Sequence, residues 1–397
     1  VGDLSHLIRK ERAVSDNPTN TSEDIHLVLL ELASHYGWKE QLLAATPQRG
    51  GHLHHTYRAR WGSDAANVEY IHQRINVDIF QDVAGLMGNI ERVTTHLRKK
   101  IATNSASEDF KTLELIHTKD GATFVKSKAG DFWRTYRYIP NTESFDVCPS
   151  AEIAYRAARM YGEFQKLLLD IDAAQLTITI PNFDNVPWRY EKLAAAVRAD
   201  PRQRVKNIQA ELLFSESQRS EAHLFQSLRT DARGRMRVAH YDTKLNNILF
   251  NSATKHACCV VDLDTCMPGC LIYDFGDLVR NAAINAPEDA KDIAKIKFRA
   301  DFFDAMARGY LENARTFLTT AELAALPRIP RLNALNLGVR FLTDYIEGDH
   351  YFGGHYPDHN LDRARVQFEI VQLFDRNREA MEESVKRYRG KENLPAN

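Results

Sequence analysis

Three polar residues in the second half of the chain have types and spacing that suit phosphoryl transfer. The run HYDTKLNNILF, residues 240–250, carries Asp242 and, five positions on, Asn247; VVDLDT, residues 260–265, adds Asp262 fifteen positions later. A carboxylate such as Asp242 can orient an acceptor hydroxyl and take its proton. The amide oxygen of Asn247 and the carboxylate of Asp262 suit Mg²⁺, a hard cation that prefers oxygen ligands. Such an ion neutralises charge on a transferring phosphoryl group.

The flanking residues read as the elements these groups need. Residues 237–240 and 248–250 are short apolar strands around a polar loop, and 257–262 (ACCVVD) is an apolar run ending in a carboxylate. A buried strand delivering a ligand at its tip has that pattern. His240 braces the loop by hydrogen bonding. Asp264 shares a face with Asp262 if the strand continues. Two nearby carboxylates repel unless a cation intervenes, so Asp264 is a second Mg²⁺ contact, an acceptor contact or a cap on the next turn. Asp274 and Asp277, in YDFGD, cap the following helix and buttress the loop.

Upstream, Gly50 and Gly51 precede a strand at 54–61. A glycine turn lets backbone amides approach phosphate, although an ordinary hairpin turn looks the same. A second strand at 68–75 ends near Arg74, and a helix follows at 81–100. Arginine can clamp phosphate with two parallel bonds. Glu91 on that helix is either a partner for Arg74 or a solvated helix-face glutamate. Further strands are expected at 113–118, 123–127 and 131–138. Beyond them the chain reads as helical at 150–169, 217–230, 287–313, 332–345 and 361–389, with a loop at 180–189.

Composition bounds the function. A chain of 397 residues can bury a substantial core, and a net charge of −1 gives no field for nucleic acid or a membrane surface. No run reaches the roughly 18 apolar residues of a membrane span, and no secretory signal pattern stands at Val1, so a cytoplasmic location is expected. Cys148, Cys258, Cys259, Cys266 and Cys270 are odd in number and include an adjacent pair. They read as free thiols of a reducing compartment, not a disulfide framework.

HYDTKLNNILF followed by VVDLDTCMPGCLIYDFGDLVR resembles the aminoglycoside phosphotransferase and choline kinase superfamily. Within it the chain is most similar to the N-acetylhexosamine 1-kinases, through 69–97 (EYIHQRINVDIFQDVAGLMGNIERVTTHL), 133–146 (WRTYRYIPNTESFD) and 339–352 (VRFLTDYIEGDHYF). The resemblance covers most of the chain from about residue 52 to 376. It implies an α+β, two-lobed protein-kinase-like fold. The nucleotide-binding N-lobe with a small antiparallel sheet would be 22–140 and the larger, mainly helical catalytic C-lobe 141–397; the polar composition of 1–21 reads as a mobile arm before them.

It also implies an ATP- and Mg²⁺-dependent kinase that phosphorylates the anomeric hydroxyl of an N-acetylhexosamine or related sugar. Asp242 would be the catalytic base, and Asn247 and Asp262 the metal ligands. The Gly50–Gly51 turn, Arg74 and Glu91 would settle the phosphates, with Tyr138, Ile139 and Pro140 as the hinge beside the adenine. Arg340, Tyr351 and Asp264 would contact the sugar; Asp344 and Asp349 could add acceptors, or Asp344 could only bridge Arg340 one helical turn away. Two departures stand out. Arg74 takes the place of a protein-kinase lysine, and Asp184 stands where the subgroup commonly carries histidine, which would alter the sugar pocket. The alternatives are a kinase for another small alcohol, an aminoglycoside or choline, and a nucleotide-binding pseudokinase. A cationic acceptor needs an acidic or aromatic cage, which an arginine opposes. The intact Asp242, Asn247 and Asp262 oppose the pseudokinase. The expected partner is the small-molecule substrate, with no nucleic acid or membrane; oligomeric state is not legible.

Overall fold

The computed structural model describes residues 22–48, 54–63, 65–230 and 236–390, without the side chains of residues 22 and 23. The arm expected at 1–21 and the Gly50–Gly51 turn lie outside the described residues.

Helix α1 (Ser22–Tyr36) is followed by β1 (Gln41–Pro47), β2 (His55–Ser63), β3 (Ala66–Arg74), α2 (Val83–Ala102), β4 (Val125–Lys126) and β5 (Phe132–Arg137). The strands form one antiparallel sheet in the order β1-β2-β3-β5-β4. Side chains alternate across a strand, so the sheet has two distinct faces. On one, Trp61, Trp133 and Val125 pack with Ile25, Leu29 and Leu32 of α1. On the other, Ile75 and Tyr136 join the main core with Leu86, Ile90, Val93 and Leu97 of α2. These α2 positions recur at helical spacing, and the Asp82 side chain caps the helix by accepting the Gly85 N–H at 2.8 Å.

Beyond β5 the chain becomes mostly helical. In order come β6 (Thr142–Glu143), α3 (Ala151–Leu167), α4 (Val186–Ala199), α5 (Gln209–Ser217), α6 (Leu224–Ser227), β7 (Arg237–Ala239), β8 (Ile248–Asn251), β9 (Ala257–Val260), β10 (Met267–Gly269) and α7 (Tyr273–Ala282). Then follow α8 (Ala300–Ala314), α9 (Thr320–Ala325), α10 (Ile329–Glu347), α11 (His359–Arg376) and α12 (Arg378–Tyr388). Antiparallel ladders β6-β8-β9 and β7-β10 frame the motif-bearing turns. Helices α3 and α8 approach closely because Gly309 lies against the Tyr155 carbonyl and Gly162 against that of Tyr310. The fold is thus the expected α+β, kinase-like one: a small antiparallel sheet joined to a larger helical part.

Several boundaries differ from expectation. Residues 113–118 form only an isolated bridge, Leu115 to Tyr136, because the chain touches the sheet edge without running along it. The helix expected from 287 begins at Ala300, after turns and a short 3₁₀ segment. The one expected over 361–389 is two helices divided at Asn377, and 217–230 is broken into short pieces. Strand β1 and helices α4 and α5 were not anticipated. Among the described residues no helix is long and apolar enough to cross a membrane. All five cysteines are buried and free.

Candidate active site

The loop between β7 and β8 is held by side chains reaching in from α7. The Asp274 carboxylate accepts the N–H groups of His240 (2.9 Å) and Tyr241 (2.8 Å) and the side-chain amide of Gln165 (2.8 Å). Asp277 accepts the Thr243 N–H at 3.1 Å, and the Thr243 hydroxyl donates to the Asp274 carbonyl at 2.6 Å. His240 accepts the Asp242 N–H on Nδ1 at 3.3 Å and donates from Nε2 to the Val261 carbonyl at 3.0 Å. The bracing by His240 and the buttressing by the α7 carboxylates have these bonds behind them, but neither carboxylate caps α7: both lie inside the helix, whose N-cap is Ile272 with no side-chain bond.

Tyr241 occupies left-handed backbone at φ 66°, a costly position for a non-glycine residue. Its hydroxyl compensates by donating to Asp184 at 2.7 Å and accepting the Cys270 N–H at 2.9 Å. The ring fills the space where a side chain at Gly269 would stand. Asp184, the departure from the subgroup pattern, therefore anchors the loop that carries Asp242. It is 1% exposed, with Arg229 3.6 Å away. Together with Ile180, Phe183, Tyr241 and Met267 these residues line a cavity of about 250 Å³.

Asp242 sits at the centre of a polar group. Asn247 donates its amide N–H to the Asp242 carbonyl (2.8 Å) and carboxylate (3.0 Å). Lys244 places Nζ 3.1 Å from the same carboxylate. Burial works against the Lys244 charge, but the Asp242 and Asp262 carboxylates outweigh it and raise its pKa. The β9 strand brings Asp262 alongside, since the Val261 N–H donates to the Asn247 carbonyl at 2.9 Å. Asp262 begins a 3₁₀ turn, Leu263–Thr265, from left-handed backbone at φ 58°. Burial first, and then the Asp264 and Asp242 carboxylates, push its carboxyl well above the usual range.

That arrangement fits a divalent cation. The Asn247 amide nitrogen is committed to Asp242, which leaves its oxygen for a metal. The surroundings of Asp262 disfavour its ionised form, and a cation alongside would favour it. Among the described residues no cluster of three or more His, Cys, Asp or Glu side chains has metal-binding geometry. The oxygens of Asn247 and Asp262 are the two donors the loop offers, a set that would suit Mg²⁺ when waters and phosphate oxygens complete its shell.

The other expected residues divide. Arg74 and Glu91 do not meet. Arg74 lies on the α1 face of the sheet with Trp133, 3.6 Å from Asp131, and Glu91 accepts from His117 at 2.7 Å. The reason is strand alternation: the neighbouring Gln73 points to the opposite face, and its cross-strand partner there is Arg134. Asp264 also corrects the expectation of a sugar contact. It is 1% exposed, with both oxygens bound by the Arg134 guanidinium and one by His54 at 3.1 Å. Burial alone would raise the Asp264 carboxyl; Arg134 and His54 prevail and hold it well below the usual range. At the hinge, the Tyr138 N–H donates to Glu69 at 3.0 Å and the Ile139 carbonyl accepts from Thr142 at 2.8 Å. The Tyr138 ring is covered by the Arg58 guanidinium at 3.9 Å.

On the far side of the loop, Arg340 of α10 donates to the Tyr351 hydroxyl at 3.4 Å. It lies 5.4 Å from the Phe183 ring, which packs on Tyr241 at 5.1 Å. Arg340 thus stands one aromatic ring away from the loop that carries Asp242. Asp344 does not bridge it. Asp344 is buried and accepts the N–H groups of Tyr351 (2.7 Å) and Phe352 (2.9 Å), shaping the loop after α10. Asp349 is taken by Arg204 at 2.5 Å and Asn360 at 2.9 Å.

Three basic residues escaped the sequence reading. Lys244 was inside the motif, and its proximity to Asp242 is the signal that was passed over. Arg134 needed the register of β3 on β5. Arg189, in the first turn of α4, has a buried Nε with no partner; burial first, and then the Arg340 charge, lower its pKa.

Comparison with known proteins agrees with this geometry. The model of a phosphotransferase enzyme family matches residues 99–326, more than half of the chain. Among solved structures, the GDP complex of aminoglycoside 2'-phosphotransferase-IIIa aligns with a TM-score of 0.56 and 11% identity, covering 86% of this chain and 97% of that one. Plasmodium vivax ethanolamine kinase aligns with a TM-score of 0.54 and 12% identity over 93% and 98%. Spectinomycin phosphotransferase in complex with ADP and spectinomycin aligns with a TM-score of 0.52 and 16% identity over 90% and 98%. At such identities the structural likeness speaks for the fold alone; the family follows from the sequence match, and on that match the chain belongs to the phosphotransferase enzyme family.

Proposed function

We propose that the chain is a small-molecule kinase that transfers the γ-phosphoryl group of ATP to the anomeric hydroxyl of an N-acetylhexosamine or related hexose. The observation that carries the reading is the placement of Asp242 among Asn247, Lys244 and Asp262 on a loop immobilised by α7. Nucleotide use is supported by the GDP and ADP held in two of the similar structures.

Asp242 orients the acceptor hydroxyl and takes its proton as the new bond forms. Lys244, beside that carboxylate, supplies a positive charge for the transferring phosphoryl oxygens. Asn247 and Asp262 hold Mg²⁺, which when bound neutralises the phosphate charge. The protein's part is otherwise positioning. On the acceptor side, Arg340, Tyr351 and Arg189 offer donors that suit sugar hydroxyls or an acetamide carbonyl.

The similar structures include kinases for aminoglycosides and for ethanolamine. Two arginines beside the acceptor position oppose such cations and favour a neutral, oxygen-rich acceptor. The test is nucleotide consumption with Mg²⁺ and ATP or GTP over free sugars (N-acetylglucosamine, N-acetylgalactosamine, glucose, galactose, mannose), choline and an aminoglycoside, with products read by phosphorus NMR. A sugar-dependent anomeric phosphate is expected. Turnover only on an amino alcohol or aminoglycoside would overturn the acceptor assignment.

A further inference from the structure

The cavity of about 250 Å³ beside the Asp242 loop has an open side and a closed side. Ile178 is 53% exposed and the Arg229 side chain 33%; with the exposed Asn182 they form its rim. Tyr241, Met267 and Pro268 are buried and form its floor. That floor is preformed: Met267 pairs with Ala239 across β10 and β7 and accepts the Thr179 hydroxyl on Sδ at 3.7 Å. The polar groups at the rim are donors. Asn182 accepts the Asn185 amide on its side-chain oxygen at 2.9 Å, which leaves its amide nitrogen as the donor. Arg229 brings a guanidinium 3.6 Å from Asp184. Asp184 itself is 1% exposed and holds the Tyr241 hydroxyl at 2.7 Å, so a ligand entering from the rim meets donors and not the carboxylate.

Donors at a rim over an apolar floor match a group with a carbonyl oxygen at one end and a short alkyl chain at the other. An ion fits less well, because Asp184 offsets the Arg229 charge and the floor carries nothing to pair with one. A dry apolar cavity of about 150 Å³ takes benzene, so this larger one has room for more carbon than an acetyl group brings. Its place in the fold ties it to the acceptor. Tyr241 of the floor directly precedes Asp242, and Phe183 of the wall lies 5.4 Å from the Arg340 guanidinium. The cavity thus adjoins both places that the proposed function gives to the acceptor.

We propose that this cavity is the subsite for a short acylamino substituent of the acceptor, with its carbonyl at the Asn182–Arg229 rim and its alkyl end on Ile180, Met267 and Pro268. Arg340 and Tyr351 are then left to the sugar hydroxyls. The inference rests on the sugar-kinase reading above and adds to it that acyl chains longer than acetyl are accepted. The test measures kcat/KM with Mg²⁺ and ATP for the plain hexose and its N-acetyl, N-propanoyl and N-butanoyl 2-amino forms, in the gluco and galacto series. It is run on the full chain and on I180W, R229M and R229K, with melting curves as the check on folding. In the parent chain kcat/KM rises about two- to fourfold with each methylene from acetyl to butanoyl, the gain that burying a methylene brings. In I180W, which fills the cavity from its wall, the order reverses. R229M lowers the acylated sugars relative to the plain hexose about tenfold, as loss of a charge-assisted hydrogen bond does. R229K, which keeps a charge beside Asp184 without the fork, recovers part of that ratio. If I180W does not fold, the parent series and the two Arg229 variants decide. A parent profile that falls from acetyl onward, or folded variants that keep the parent profile, overturns the proposal and leaves the sugar-kinase reading standing. A parent chain that turns over no sugar at all ends both.

Discussion

The Asp242 loop and the surroundings of Arg340 are built in opposite ways. Around Asp242, four consecutive backbone N–H groups, from His240 to Thr243, each have a side-chain acceptor, and three of those bonds come from α7. Around Arg340 almost nothing is committed: the guanidinium makes one 3.4 Å bond, Tyr351 is 60% exposed, and the Arg189 Nε has no partner. On the proposed function the Asp242 loop meets its substrates already held in place, so its geometry would contribute to rate. The Arg340 side keeps the unpartnered Arg189 Nε, and a buried donor without a partner costs free energy until a ligand supplies one. On the proposed function, rate and selectivity would fall to different residues.

That division is open to attack at its strongest point. Asp242→Asn keeps the shape and the contacts to Asn247 but removes the proton acceptor. Turnover should fall about 10³-fold, within the range for loss of general-base catalysis. ADP affinity and the denaturation midpoint should stay near those of the parent. Near-normal turnover in the folded variant would remove Asp242 from the chemistry. Asp274→Ala attacks the support instead. It strips acceptors from the His240 and Tyr241 N–H groups, in a place water does not reach. Stability should drop by about 3 kcal/mol and turnover by about 10²-fold, with the acceptor KM little changed. Stability is read from urea unfolding and the rates from product formation. A rise in KM without a fall in kcat would mean that α7 supports binding more than chemistry.

The contrast also explains what the sequence could disclose. Asp242, Asn247 and Asp262 were legible because they sit in the turns that join and follow adjoining short strands, where spacing alone fixes proximity. The carboxylates of α7 were legible for the same reason. Arg74 was chosen over Arg134 because face assignment depends on register. A shift of one residue along β3 moves a side chain from the cleft face to the α1 face, and the β3–β5 pairing is set by tertiary structure. Asp264 looked open to ligand because its two partners, His54 and Arg134, are separated from it by more than a hundred residues of sequence. Arg189 was placed in a loop, although Asn185 as helix cap and Pro187 in the first turn are local start signals for α4. Those signals were readable; the pairing of Arg189 with Arg340 across two helices was not.

The smallest effects test the acceptor side. Arg340→Met removes a charged donor while keeping an unbranched apolar stem against Phe183 and Phe352. Loss of a charge-assisted hydrogen bond to the acceptor corresponds to about 1.5–3 kcal/mol, so the acceptor KM should rise about 10- to 100-fold. The KM for ATP should not move, because the nucleotide side shares no bond with Arg340. Tyr351→Phe removes one neutral hydroxyl from an exposed ring, and its effect should be about 3- to 10-fold on the same constant. Steady-state kinetics with both substrates varied separates the cases. If Arg340→Met lowered kcat and left KM alone, its contact would form only in the transition state. Selectivity and rate would then share a residue, and the acceptor side would have to be read as a second part of the catalytic loop that orders only when substrate arrives.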